Sequence, residues 1–225
     1  MSTQSKKFDL SVTAVTIFEE AETIPTVSDM CYPNDISVLD YYDLFSTRLN
    51  AFRYYFETIP FQYLEMTSEL DGYQELEPGE KLTNFVLSSI DQLDNSPKST
   101  KHYFDNHLEL QSALTDNAAH VISEILKQDQ HIPSVNHLFL NKASFKILAV
   151  AYISLLRYAV ESDNPSRQRT FALTEKLSAF FNELITNATF STGIDVVRFM
   201  LQQNIISIPF VSAAVSSYLN KKDHE

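Results

Sequence analysis

The chain has 225 residues, 44% of them apolar, with only three glycines and eight prolines; such a composition buries a core in one large or two small domains and excludes a disordered or fibrous chain. So few glycines disfavour a many-stranded sandwich or barrel, which needs turn residues about every 8 to 12 positions, and the isolated Gly72, Gly79 and Gly193 leave no glycine-rich loop to cradle a nucleotide phosphate. Twenty-nine acidic against 17 basic residues give a formal charge of −12, which repels phosphate polymers at long range unless cations cluster.

The single Cys31 excludes an internal disulfide and any zinc site built on paired cysteines, and a reducing cytoplasm fits it best. No apolar run approaches the roughly 18 to 20 residues that span a bilayer, and the start MSTQSKKFDLSV lacks the apolar region of a signal peptide. The expectation is a soluble cytoplasmic protein that does not enter a membrane.

In chain order, Phe8 to Glu20 carries Leu10, Ala14, Ile17 and Phe18 on one face and predicts helix one. Thr26 predicts the cap of a short second helix that Pro33 keeps short, with Asn34 and Asp35 as the turn. Ser37 predicts the cap of a third short helix, Val38 to Leu44, and Ser46 or Thr47 that of a long fourth helix to about Leu70, kinked at Pro60. Further helices are expected at Lys81 to Leu93, Tyr103 to Leu110 and Leu114 to Lys127, with a loop over Asn95 to Thr100. Lys142 to Glu161 and Arg167 to Ala188 have the longest apolar stripes, and the short SDNPS link makes them antiparallel. Gly193 to Leu219 reads as helix broken at Pro209. All long apolar patterns have a helical period, so the fold class is all-α.

The order of the first helices, with Ala14, Ile17 and Phe18, and then Thr26-Val27-Ser28-Asp29-Met30-Cys31, Ile36-Ser37, Tyr42, Phe45 and Arg48, ungapped from Thr26 to Arg48, resembles the N-terminal DNA-binding module of the TetR family of transcription regulators. The resemblance implies a helix-turn-helix module over residues 1–48 and a helical ligand-binding and dimerisation domain over 49–225, with helix four bridging both. It implies a ligand-responsive regulator that binds duplex DNA as a homodimer. Thr26, Ser37, Tyr41, Tyr42 and Arg48 are then the DNA-contacting candidates. Phe56, Tyr63, Phe85 and Tyr103 would line a pocket for an apolar or aromatic small molecule. Leu148, Tyr152, Leu155, Phe181 and Leu184 would form the dimer face.

The recognition helix departs from the family pattern. It reads ISVLDYYDLF, with Asp40 and Asp43 and no cation, and Pro33 and Asp35 occupy a turn where the family commonly has Ala-Gly. Residues 1–60 hold Lys6, Lys7, Arg48 and Arg53 against nine carboxylates, which weakens phosphate binding. Two readings therefore stand for this surface: a DNA reader, or a TetR-fold protein that has lost DNA binding and works as a protein- or ligand-binding module. Tyr42 either meets phosphate or packs on helix one, and Arg48 either meets phosphate or joins a surface ion pair. The aromatics, including Phe61, Tyr73 and Phe104, are either core or pocket. No catalytic constellation, cofactor motif or metal set emerges: His120 and Glu124 share a helix face without further ligands at diagnostic spacing, and Cys31 reads as a core thiol.

Overall fold

The computed structural model describes residues 2–109, 112–127, 129–133, 140–161 and 168–186. Among them the chain is all-helical, with nine α-helices and no strand: α1 (Thr3–Ala21), α2 (Val27–Cys31), α3 (Val38–Leu44), α4 (Arg48–Ser68), α5 (Pro78–Asp94), α6 (Pro97–Asn106), α7 (Ala113–Lys127), α8 (Lys142–Glu161) and α9 (Gln168–Thr186). Two short 3-10 turns, Tyr32–Asn34 and Tyr73–Glu75, join α2 to α3 and α4 to α5. The expected segment Gly193 to Leu219 lies outside the described residues.

The caps explain most of the boundaries. Ser2 accepts the Ser5 amide and starts α1 five residues before the expected Phe8, because a hydroxyl there satisfies an amide that otherwise has no partner. Thr47, not Ser46, caps α4 through the Asn50 amide. Pro60 lies inside α4 and does not end it. Pro78 opens α5 at its first position, where a missing N–H costs nothing.

Two expectations are corrected. The predicted loop at Asn95 to Thr100 and helix at Tyr103 to Leu110 are replaced by α6, which begins at Pro97 and ends at Asn106. Ser96 makes no side-chain cap bond there. The Glu19 carboxylate of α1 supplies the cap instead, accepting the Lys98 and Ser99 amides at 3.0 and 2.9 Å and the Ser99 hydroxyl at 2.8 Å. The second concerns apolar length. Although Lys146 and Arg157 interrupt its run, α8 is long and apolar enough to cross a membrane, with mean hydropathy 1.5. In this fold it is a bundle helix, burying Phe145, Ala149, Tyr152, Ile153, Leu156 and Ala159 where it packs on α7 and meets α5 and α6.

One continuous core runs from Leu10 on α1 to Leu177 on α9. α4 is its axis: Ala51, Phe52, Phe56, Ile59 and Tyr63 are buried along it, where it packs on α1, α7 and α5. α9 crosses the start of α5 at Gly79, where an added Cβ would stand 2.7 Å from Asn182 Cβ. The Gly79 amide donates to Asn182 Oδ1 at 3.1 Å, so the glycine permits an approach that also ties the two helices together.

Candidate functional site

Three short elements present the candidate surface. Thr26 caps α2 with a reciprocal box, accepting the Asp29 amide while its own amide and hydroxyl donate to Asp29 Oδ2 at 3.0 and 2.7 Å. These bonds hold the Asp29 carboxyl below its ordinary range. The Asn34 side chain donates to Met30 O and Thr13 Oγ1, binding the turn to α1. Asp35 then takes a left-handed conformation, φ 50 and ψ 41. Ser37 caps α3, accepting the Asp40 amide at 3.0 Å and donating to Asp40 Oδ2 at 2.8 Å.

α3 divides its aromatic pair between core and solvent. Tyr41 is fully buried and donates its hydroxyl to Thr47 O at 3.1 Å, so the expectation that it contacts DNA is corrected. The reason is spacing: Tyr41 is on the same face as Phe45, whose ring lies 5.8 Å away, and that face packs inward. Burial pushes its phenol well above the ordinary tyrosine value. Tyr42 is 55% exposed, and beside it Val38 and Leu39 are also open, Leu39 at 76%. Tyr32, ahead of α3, is 91% exposed. The outer face of α3 is thus Val38, Leu39, Asp40, Tyr42 and Asp43, apolar and acidic with no cation.

The nearby cations have local partners. Arg48 is exposed and turns back to donate to Ile24 O at 3.4 Å, two residues before Thr26. Lys7 lies over the Phe45 and Tyr54 rings at 5.6 and 5.8 Å. Of the five DNA-contact candidates, Thr26, Ser37 and Arg48 are engaged within the module, Tyr41 is inside it, and Tyr42 is open. Cys31 is buried against the Ser37 carbonyl, and burial together with Asp40 pushes its thiol up, away from the reactive thiolate.

In the body, the four expected pocket residues are packed rather than lining a shared void. Phe56 stacks on Tyr103 at 4.4 Å, Tyr63 lies 5.1 Å from Phe85, and Phe85 stacks on Tyr152 at 4.4 Å. The space left beside Phe85 and Tyr152 is about 30 Å³, about one water. A larger groove of about 520 Å³ lies between the end of α4, the Tyr73–Glu75 turn and α5. Met66, Leu70, Leu76 and Leu87 form its walls, and Tyr63, Tyr73, Asn84, Ser88 and the carboxylates Asp71 and Asp91 add polar groups. Only Tyr63 of the four candidates reaches it. The Tyr63 hydroxyl donates to Lys81 O at 2.9 Å and lies 3.0 Å from the Tyr73 hydroxyl.

The expected dimer residues are also turned inward where they are described. Tyr152 is buried and donates to Ser89 Oγ at 2.8 Å, and Leu155 is 7% exposed. Leu148 is half-buried beside the small void. Tyr152 and Leu155 find their cover within the chain, where α8 packs on α7 and meets α5, so two subunits are not needed to bury them. The side chains of Phe181 and Leu184 lie outside the described residues.

Sequence spacing could not reveal the Glu19 cap on α6 or the buried Lys81–Asp129 pair, because both join residues far apart in the chain. No family model matches the chain, and no curated protein matches it.

Proposed function

We propose that this chain is a TetR-like regulatory protein whose N-terminal helix-turn-helix docks on a protein partner offering an apolar contact ringed by Lys and Arg. The observation that carries this reading is the open face of α3: Leu39 and Tyr42 are exposed together with Asp40 and Asp43, and the helix holds no cation. Phosphate recognition needs Lys, Arg or free donors, whereas an apolar centre with a charged rim is the usual anatomy of a protein interface. The groove beside Tyr63 is the site for an apolar or aromatic effector, since its volume falls in the range of about 300–1,000 Å³ common for ligand pockets. A ligand there presses on the last turns of α4, whose first turns carry the module, so one helix couples the two sites.

A second reading, DNA recognition as a homodimer, is favoured by the exposure of Tyr42 and Arg48 on the same module. Selection of bound fragments from random duplex DNA at low and at physiological salt separates the two. The docking reading expects no sequence enrichment at either salt concentration. A recovered consensus site would overturn it.

A further inference from the structure

A half-buried pair of histidines lies where the body meets the module. His102 is on α6 and His107 ends it, with Nε2 atoms 3.3 Å apart and ring centres 5.0 Å apart. The His102 ring lies 4.6 Å from Phe18 of α1. Both imidazoles meet Phe52 of α4 edge-on, at 5.9 and 6.3 Å. α6 therefore touches α1 of the module and the bridging α4 through these two rings, and α1 again through the Glu19 cap at its other end.

One tautomer of each ring satisfies all of these contacts. Asn106 Nδ2 donates to His102 O at 3.0 Å, which orients the amide, and the same nitrogen faces His102 Nδ1 at 3.3 Å. His102 Nδ1 is then an acceptor, so the neutral ring carries its hydrogen on Nε2 and donates it to Nε2 of His107. Neutral His107 carries its own hydrogen on Nδ1. With these tautomers an added proton faces an N–H and not a lone pair. On His102 it would occupy Nδ1 against the Asn106 N–H, and on His107 it would occupy Nε2 against the His102 N–H. Two protons would place like charges 3.3 Å apart.

The surrounding charges act in the same direction. Burial, then His102, then Arg53 of α4 hold His107 below the ordinary histidine value, with the Asn106 backbone opposing them weakly. Glu57 of α4 is paired to Arg53. On α1, Glu22 is paired to Lys98 and Glu19 is held by the start of α6. Lys101 and Asp105 pair with each other on α6. α5 meets α6 through Leu93 O, which accepts the Thr100 hydroxyl.

We propose that the His102–His107 pair is a pH-sensitive latch that holds α6 against α1 and α4 while the His107 ring is neutral and releases it when that ring gains a proton. It goes beyond the docking reading and does not depend on which partner the module binds. Acidification from neutral pH then loosens the contact between body and module without touching the capping bonds of Glu19. Burial raises that carboxylate, but the Ser99 and Lys98 amides and the Ser99 hydroxyl more than offset it, so it stays ionised at pH 5.5.

Amide hydrogen exchange on the full chain at pH 7.5 and 5.5 tests the latch, with exchange expressed relative to unstructured peptide to remove the intrinsic pH trend. Protection of the Phe104, His107 and Leu108 amides should fall at least tenfold at the lower pH, while the Lys98 and Ser99 amides, held by Glu19, keep theirs. His102→Gln and His107→Gln, each neutral at both values, should remove most of that fall, and either variant suffices if the other does not fold. Imidazole nitrogen spectra at pH 7.5 should give hydrogens on Nε2 of His102 and Nδ1 of His107. Unchanged protection in the native chain, a fall that persists in the Gln variants, or the opposite tautomers would overturn the proposal.

Discussion

Lys81 Nζ lies 2.6 Å from Asp129 Oδ2 with only 2% and 0% of the two side chains exposed. Lys81 also donates to Gln74 O at 3.2 Å and sits 5.7 Å from the centre of the Tyr73 ring. The other carboxylate oxygen accepts the His131 amide at 2.9 Å. One ion pair thus fixes the Tyr73–Glu75 turn and the segment after α7 to α5, and it does so directly behind the groove residue Tyr73.

Lys81→Met should cost about 3–5 kcal/mol, because it leaves Asp129 buried without its partner. The paired change Lys81→Met with Asp129→Leu should recover most of that loss, since burying neither charge removes the desolvation penalty as well as the attraction. Urea unfolding of both variants measures this. If the double variant is as unstable as the single one, packing and not charge is what Lys81 contributes.

Glu19→Gln should weaken the α6 cap by about 1 kcal/mol and alter acid stability. Burial raises the Glu19 carboxyl, yet its hydrogen bonds leave it below its ordinary 4.5. A folded value below the unfolded one means that its stabilisation is fully present above 4.5 and is lost as pH falls through the folded value. The native chain should therefore lose more stability than Glu19→Gln on descending from pH 5 to pH 3, measured by thermal unfolding. Equal slopes would remove Glu19 as the cause.

These two contacts mark the limit of what could be read from the chain alone. Caps are local, so Thr26, Ser37 and Thr47 were legible from a hydroxyl three residues before the amide it accepts. α8 was legible from its period and kept its expected ends. α6 was misplaced because its cap comes from Glu19, 80 residues from Ser99, and no periodicity carries that information. The candidate surface was legible in outline, since α3 begins and ends as expected. Tyr41 and Tyr42 could not be told apart without knowing which face of a seven-residue helix packs inward. The aromatic residues of the body signalled burial correctly but could not distinguish a filled core from a pocket, which depends on gaps between rings and not on their identity.

Asp35 adopts φ 50 in the turn before α3. A left-handed conformation costs an L-residue roughly 1–2 kcal/mol, less for aspartate, and costs glycine little. Asp35→Gly should thus stabilise the chain by about 0.5 kcal/mol after the extra chain entropy of glycine is deducted. A loss of stability in chemical denaturation would mean that the Asp35 side chain makes a contribution of its own to the turn.

Leu155→Asp should unfold the chain rather than convert a dimer to monomers. Leu155 lines the small void with Phe85, Tyr152 and Leu177, so the new carboxylate would be buried without a partner, at a cost of several kcal/mol. Circular dichroism and sedimentation on the same sample distinguish the outcomes. A folded monomer from a dimeric parent would restore α8 as a subunit interface.

The final prediction concerns the charge on α3. Replacing Asp40 and Asp43 with Asn removes two carboxylates from a face that also exposes Leu39 and Tyr42. Asn at residue 40 keeps a side-chain oxygen that can accept the Ser37 hydroxyl, so the cap survives. Each exposed charge contributes on the order of 0.2–1 kcal/mol to a contact of opposite sign. If α3 docks on a basic protein surface, the double variant should bind duplex DNA little better than the native chain, showing only weak, sequence-independent association that disappears between 50 and 200 mM salt, as ordinary phosphate contacts do. If α3 reads DNA, removing the repulsion should strengthen binding to one sequence above all others. Fluorescence anisotropy with selected and random duplexes decides between them, and a Leu39→Lys change in the same background supplies the missing cation: a sequence-specific gain there would place this face in a DNA groove and displace the docking reading.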